Sequence, residues 1–197
     1  MPPISRRMIL GTGLLASLPL PLHAGTDAGR VERAEGRAWA DPDRRLTADA
    51  PVYIGDHVAT AQESRLAMLL AGTTRILMGP QTDLVIDRFT AEAGGELVLG
   101  SGAMLFDRPE DAPRTPVEVQ SVFGVIAVRG TRFFAGPSKD VFGIFVERGT
   151  VQVTGGGVTV AVGAGLGTNI AAPGAPPTEP APWGQARIDA ALALVGA

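Results

Sequence analysis

Short apolar runs separated by turn residues recur along most of the chain. Each run lasts about three to six residues and is rich in Val, Ile and Leu, and Gly, Pro, Asp or Asn closes it. Side chains branched at Cβ pack well on a pleated surface, so runs of this length and composition predict β-strands. The clearest early examples are the segments 52–54, 66–70, 76–78 and 84–86. No long helical pattern precedes the C-terminus.

The second half of the chain shows which strands are covered on one face and which on two. Residues 117–122 alternate, with Val117 and Val119 on one face and Glu118 and Gln120 on the other, which predicts a strand with one buried face. The segments 125–128 and 142–146 are continuously apolar, which predicts strands covered on both faces.

Two alternating segments, 151–154 and 158–162, flank three consecutive glycines at 155–157. A β-hairpin is the simple interpretation of this pattern. Parallel coils of a solenoid would give the same local signal. Taken together, the strands predict an all-β fold, a β-solenoid-like roll of short strands with one short C-terminal helix.

The C-terminal part changes in composition. Residues 171–182 are rich in proline, which predicts a linker. Residues 183–197 follow, and their apolar positions have helical spacing. A helix of about four turns is marginally stable alone in water, so we expect it to dock on the β body with Trp183 as an anchor. The apolar stripe comprises Ile188, Ala191, Leu192 and Val195.

The first 24 residues have the features of an export signal. Arg6 and Arg7 precede an apolar run, and the small residue Ala24 closes it. The paired arginines and the mild hydrophobicity resemble a twin-arginine signal, although the ordinary secretory route is an alternative. We therefore predict an export signal at 1–24 and a folded β domain at 25–170, located in the periplasm or secreted.

Charge and composition exclude several functional classes. Without Arg6 and Arg7, 15 of the 17 basic residues remain against 20 acidic ones, a net charge of −5. Such a chain is a poor nucleic-acid binder. After cleavage at Ala24 no apolar stretch is long enough to span a bilayer. The absence of cysteine excludes disulfides, thiolate metal sites and cysteine nucleophiles.

Reactive groups are scarce, so neither a catalytic site nor a metal or other cofactor is expected. His23 lies in the export signal, which leaves His57 as a single imidazole, too few for a zinc site. Ser64 and Ser121 lack the Gly-x-Ser-x-Gly elbow of many hydrolases. A carboxylate pair of Asp83 and Asp87, meeting across a turn, is a weak alternative as a glycoside hydrolase site.

Three segments carry a resemblance to a known family. They are GDHVATAQESRLAMLLAGTTRILMGPQTDLVID at 55–87, SVFGVIAVRGTRFFAG at 121–136 and FVERGTVQV at 145–153. The positions of the glycines and turn residues in these segments resemble those of the FecR domain, the periplasmic module of bacterial iron-dicitrate-type signalling regulators. In those regulators a sigma-factor-binding region and a membrane span precede the domain, whereas here an export signal does. This departure from the family's pattern predicts a stand-alone exported form of the domain.

The resemblance implies a non-enzymatic module that binds a protein partner in envelope signalling or surface assembly. Strand addition is the favoured binding mode, because a stack of short strands leaves an edge that a partner strand can extend. The alternative is a carbohydrate- or peptidoglycan-binding envelope protein, which needs exposed aromatic platforms. Trp39, Tyr53 and Trp183 are the few candidates.

The motif residues are interpreted as structural. The glycines stand at the ends of apolar runs, where a positive φ or a close approach of chains is expected. Arg129 lies within an apolar run and needs a partner, with Glu147 or Asp56 as candidates. Thr131 is expected to bond the local turn. The full motif set is Gly55, Asp56, Ser64, Arg65, Gly72, Thr73, Arg129, Gly130, Thr131, Phe133 and Gly149.

Overall fold

The computed structural model describes residues 25–90, 94–112, 115–128 and 130–197. Their chain order is a succession of strands that ends in one helix. The strands of the first half are β1 Asp27–Glu35, β2 Ala38–Ala40, β3 Arg44–Arg45, β4 Pro51–Tyr53, β5 His57–Thr60, β6 Arg65–Leu70, β7 Thr74–Met78, β8 Asp83–Thr90 and β9 Gly94–Ser101. The remaining elements are β10 Met104–Asp107, β11 Val117–Ser121, β12 Gly124–Val128, β13 Arg132–Ser138, β14 Val141–Arg148, β15 Thr150–Gly155, β16 Val158–Gly163, β17 Leu166–Ile170, β18 Ala181–Pro182 and α1 Gln185–Val195.

The strands form two sheets that pack face to face. One, here called the helix-side sheet, has the order β18-β17-β14-β13-β10-β7-β6-β1-β4. The other, the open-faced sheet, has the order β16-β15-β12-β11-β9-β8-β5-β2-β3. This arrangement resembles a sandwich, and the solenoid form of the prediction is not confirmed. Among the described strands β9 and β11 pair in parallel and the other neighbours are antiparallel. Short turns join some of the antiparallel pairs, such as β13–β14 and β15–β16, into hairpins.

The main core lies between the sheets. Alternate side chains of each strand point into it, and Met68, Ile76 and Phe133 are fully buried there. The rings of Phe106 and Phe133 stack with centroids 5.3 Å apart. Burying a side chain of this size stabilises the fold by about 1.5–3 kcal/mol.

A second apolar layer covers the outer face of the helix-side sheet. Leu105, Phe134 and Phe145 point outward from this sheet and pack against α1 and Trp183. The segment 142–146 is therefore covered on both faces, as predicted. The same prediction for 125–128 is wrong, because Ala127 is exposed and no described element covers that face of the open-faced sheet.

The two other strand predictions for the second half are confirmed. Val117 and Val119 are buried and Glu118 is exposed. β15 and β16 form a hairpin whose two turn residues, Gly156 and Gly157, have φ of 52° and 78°. Positive φ at both positions is typical of the type I′ turn, whose twist matches that of the strands.

The C-terminal helix docks as expected. The ring of Trp183 stacks on Phe145 with centroids 5.4 Å apart, and the residue is 8% exposed. Glycine at 143 and 167 makes room for the indole, since a Cβ there would lie 2.7 Å and 2.2 Å from its atoms. No helix among the described residues is long and apolar enough to cross a membrane.

Candidate interaction site

The first motif pair closes the turn between β4 and β5. The N–H of Gly55, whose φ is 89°, donates to the carbonyl of Ile86 at 2.7 Å. The buried carboxylate of Asp56 accepts the N–H of Tyr53 at 2.7 Å and pairs with the guanidinium of Arg44. In this chain Asp56 therefore holds a turn and an arginine in place.

Ser64 and Arg65 link separate parts of the β body. The Ser64 Oγ accepts the backbone N–H of Arg37 at 2.9 Å. The guanidinium of Arg65 donates to the carbonyls of Ala193 and Leu194 at 3.2 Å and 3.3 Å. The last carbonyls of a helix lack partners within the helix, so Arg65 caps the C-terminus of α1.

The remaining described motif residues lie in turns or in the core. Gly72 and Thr73 form the turn between β6 and β7, and the N–H of Thr73 donates to the carbonyl of Leu70 at 3.1 Å. Thr131 is fully buried, and among the described residues its hydroxyl has no hydrogen-bond partner. Gly130 and Gly149 have φ of 63° and 83°, and Phe133 belongs to the core.

Four predicted residues, Arg6, Arg7, Ala24 and Arg129, lie outside the described residues. Their roles stay predictions. The two carboxylates proposed as partners of Arg129 have other partners, because the Oε2 of Glu147 accepts from the Nε of Arg132 at 2.8 Å and Asp56 pairs with Arg44. Gly130, Thr131 and Gly149 lie together, since a Cβ on Gly149 would lie 2.7 Å from the Cγ2 of Thr131. The other described motif residues lie in separate turns or in the core, so the set as a whole does not form one site.

A histidine clamped between two carboxylates was not foreseen from the sequence. The Nδ1 of His57 lies 2.6 Å from the Oδ2 of Asp41, and its Nε2 lies 2.6 Å from the Oδ1 of Asp83. Hydrogen bonds that the carboxylate of Asp41 and, second, that of Asp83 accept from the ring raise the pKa of His57, because both favour the charged imidazolium. With both nitrogens engaged, the ring has no free nitrogen to act as a base toward a nucleophile.

An arginine-rich network was also missed. Asp107 bonds Arg132 at 2.6 Å and Arg148 at 2.9 Å. Arg108 is 2% exposed and donates to the carbonyl and hydroxyl of Thr115 at 3.2 Å and 2.7 Å. Burial lowers the pKa of Arg108. Arg132 and Arg148 lie 25 and 41 residues from Asp107 in sequence, so no local pattern could have found these ion pairs.

The described residues offer little for the enzymatic alternatives. Asp83 and Asp87 both lie on β8, so the predicted pairing across a turn is wrong. Four strand residues span about 13 Å, beyond the spacing of a glycosidase pair. No group of three or more His, Asp or Glu residues in the described part could hold a metal ion.

The three candidate aromatic platforms each have a guanidinium over one face. Arg37 lies 5.3 Å from the centre of the Trp39 ring, and Arg44 lies 5.1 Å from that of Tyr53. Arg187 lies 3.5 Å from the centre of the Trp183 ring, which is also buried. A charged group therefore covers one face of each ring and removes that face as a stacking surface for a sugar.

The edges of the two sheets differ sharply. In the described part, each sheet ends in two edge strands. Three of the four carry features that discourage pairing: β4 begins with Pro51, β3 consists of two arginines, and β18 has two residues and ends in Pro182. Short length, proline and charge are the usual protection of an exposed edge.

The fourth edge strand, β16, has none of these features. It spans six residues, Val158–Gly163, without charge or proline. Val158 is 44% exposed, and Val122 is 62% exposed in the turn at the same end of the sheet. No charged residue occurs between 149 and 178, so the surroundings of β16 in sequence are also neutral.

An apolar cavity of about 550 Å³ opens at this same end of the sandwich. Phe123 and Phe142 stack on its wall with ring centroids 4.5 Å apart. Leu99 and Pro137 also contribute, and Asp140 is a charged residue of the lining. The cavity thus lies at the same end of the sandwich as the exposed Val122 and Val158.

Comparison with known proteins relates the central part of the chain to a family. The family model described as FecR protein matches residues 56–152. Residues 56–152 therefore form a FecR domain. A search of curated proteins gave no match to the chain.

Two solved structures of a candidate anti-sigma factor from Parabacteroides distasonis have a similar fold. At 1.65 Å resolution the TM-score is 0.56 with 12% sequence identity, covering 68% of this chain and 63% of the other. For the 2.50 Å structure the TM-score is 0.55 with 12% identity, covering 68% and 62%. The matched region thus spans less than two thirds of that protein, and at this identity the likeness concerns the fold.

Proposed function

We propose that the chain is a non-enzymatic periplasmic module that binds a protein partner in envelope signalling or surface assembly. The FecR domain at residues 56–152 supports this proposal. The similar fold of a protein described as a candidate anti-sigma factor supports a place in signalling. The export signal at 1–24, with Arg6 and Arg7, is the basis for the periplasmic location.

The observation that carries the binding role is an unprotected sheet edge. A free edge presents backbone N–H and C=O groups, and adding a strand satisfies them without any reactive side chain. The absence of a metal cluster from the described residues and the engaged ring of His57 support a binding role over catalysis.

A sugar-binding function is the alternative, and the arginine-covered rings of Trp39, Tyr53 and Trp183 give it less support. Aromatic platforms need an open ring face. Binding to peptidoglycan sacculi, measured by co-sedimentation, tests this alternative directly.

The test of the proposed function is capture in the native compartment. The full chain, tagged at the C-terminus, is expressed in its source bacterium, and the periplasm is treated with a membrane-impermeant cross-linker. One envelope protein should be enriched over a tag-only control, and purified partner and chain should bind each other in calorimetry. A chain that remains in the cytoplasm, or that binds sacculi instead of protein, would contradict the proposal.

The export step has its own test. Changing both Arg6 and Arg7 to Lys should block a twin-arginine route and spare the ordinary secretory route. Fractionation and the mass of the mature protein distinguish the two. Retention of the full-length wild-type chain would show that 1–24 is not a cleaved signal.

A further inference from the structure

We infer that the partner binds as an extended, uncharged strand on the free edge of β16. This inference rests on the proposed function and names its location and the chemistry of the partner. The geometry of the β15–β16 hairpin gives the first step of the argument. Gly156 and Gly157 form a two-residue turn with both φ values positive, so Gly155 and Val158 are the hydrogen-bonded pair that closes it.

Hydrogen-bonded and non-hydrogen-bonded pairs alternate along an antiparallel ladder. Val158, Val160 and Val162 therefore direct their N–H and C=O groups toward β15, and Thr159 and Ala161 direct theirs away from it. The hydroxyls of Thr154 and Thr159 lie 2.8 Å apart, as expected of a non-hydrogen-bonded pair, in which side chains approach closely.

The outward groups of β16 have no described partner. β15 is the strand that pairs with β16 in the described part, and no turn or loop bond reaches Thr159 or Ala161. Val158, Thr159 and Ala161 are exposed, whereas Val162 is buried where the chain turns toward β17. The open stretch is therefore the first part of the strand, 158–161.

The side chains along this edge define the chemistry of the incoming strand. Val158 and Val160 lie on the face that continues the core, since their partners across the hairpin are Gly155 and the buried Val153. Thr159 and Ala161 lie on the outer face. An added strand with apolar residues opposite the valines and small polar residues opposite Thr159 and Ala161 extends both faces.

Charge points to the same partner. No charged residue occurs between 149 and 178, so β15, β16 and the segment that follows them supply no counter-charge for a charged side chain on the incoming strand. The three other edges present arginine or proline and are shorter. The fitting occupant is thus an uncharged segment of alternating β-branched and small polar residues from another protein.

The test uses a peptide that copies residues 149–155, which contain the whole of β15, the strand already paired with β16 on its other side. Its termini are capped, and the control peptide carries Lys and Glu in place of its two valines. The exported protein, labelled with ¹⁵N, is titrated with each peptide. The first peptide should shift the amide signals of Thr159 and Ala161 in a saturable manner, and the control should not.

Variants test whether the backbone edge is responsible. Ala161→Pro removes one outward N–H and should weaken peptide binding at least tenfold. Ala161→Lys places a protecting charge on the edge and should have the same effect if the proline variant fails to fold. Gln152→Lys is the matched control, because Gln152 faces Ala161 across the hairpin on the same exposed face but lies one strand inside the edge.

Three results would overturn the inference. The amide shifts could map to β3, β4 or β18, the two peptides could bind alike, or the wild type could form a dimer that Ala161→Lys abolishes in ultracentrifugation. The last result would make a second copy the occupant. If β16 does not respond while the tagged chain still captures its partner, the location is wrong and the proposed function stands. If β16 binds the peptide but no partner is captured, the proposed function fails.

Discussion

The two lateral flanks of the open-faced sheet use opposite means of stability. On the flank formed by β2, β3 and β5, Arg44 pairs with Asp56 and His57 bridges Asp41 and Asp83. On the flank formed by β15 and β16, no charged residue occurs, and the hairpin is held by its turn and its buried valines. The comparison teaches that charged side chains protect the edge of the first flank. On the neutral flank the outward backbone N–H and C=O groups of β16 have no partner among the described residues.

The largest expected effect lies on the charged flank. Asp56→Ala leaves the half-buried Arg44 without its carboxylate and the Tyr53 N–H without its acceptor, which should cost about 3 kcal/mol of unfolding free energy. Urea denaturation measures it. Asp56→Asn keeps an acceptor for Tyr53 and should recover part of the loss. Gln152→Ala on the neutral flank is the control and should change stability by less than about 0.5 kcal/mol. Equal losses at the two positions would show that the ion pairs do not make the charged flank different from the neutral one.

The turn of the neutral flank should show an intermediate effect. Gly157→Ala requires a positive φ in open space, so its cost is conformational, about 1 kcal/mol. Gly156→Ala should cost more, because its Cβ would also lie 2.7 Å from the backbone nitrogen of Pro176. Thermal denaturation of the two variants tests this order. A larger loss for Gly157→Ala would show that the turn has another geometry.

The histidine clamp should make stability depend on pH. Because folding raises the pKa of His57 above its ordinary value of 6.5, the clamp contributes fully below pH 6.5 and is lost as pH rises through the folded pKa. The imidazole is 37% exposed, so the contribution should be at most about 1 kcal/mol. Urea midpoints between pH 5.5 and pH 8.5 measure it.

Two variants check the assignment of this pH dependence. His57→Asn should flatten the profile, and Asp41→Asn should reduce its amplitude because one carboxylate is removed. An unchanged profile in His57→Asn would assign the dependence to other groups.

The smallest effect on stability is expected at the open edge. Ala161→Lys adds a solvated charge to an exposed position, so the unfolding free energy should change by less than about 0.5 kcal/mol. Urea denaturation of the variant and of the wild type measures the change. A strong loss of stability would mean that the edge is buried against another part of the chain.

Much of the local structure could be predicted from the sequence. Period-two alternation located Val117 and Val119 on a buried face, and three glycines between alternating segments located the β15–β16 hairpin. The helical stripe and Trp183 predicted a docked C-terminal helix. These features depend on neighbours in sequence, whose backbone preferences act within a few residues.

The sequence predicted the type of the candidate site, a free strand edge, but not its location. A free strand edge was expected, but which strand would form it depends on strand order, and the alternation of side chains carries no information on order. The His57 clamp joins residues 41, 57 and 83, and the cap on α1 joins residue 65 to residues 193 and 194. Sequence spacing gave no signal for contacts at such separations.

By itself, then, the sequence determined the strands, the turns and the docked helix, because these follow from local propensity and periodicity. It also determined the family resemblance, which rests on the motif residues. Only the tertiary structure decided that the strands form two sheets, that α1 covers one of them, and that β16 is an edge. The physical reason is that strand pairing satisfies backbone groups, which all residues except proline share. The choice of partner strand is therefore made by the packing of the whole core.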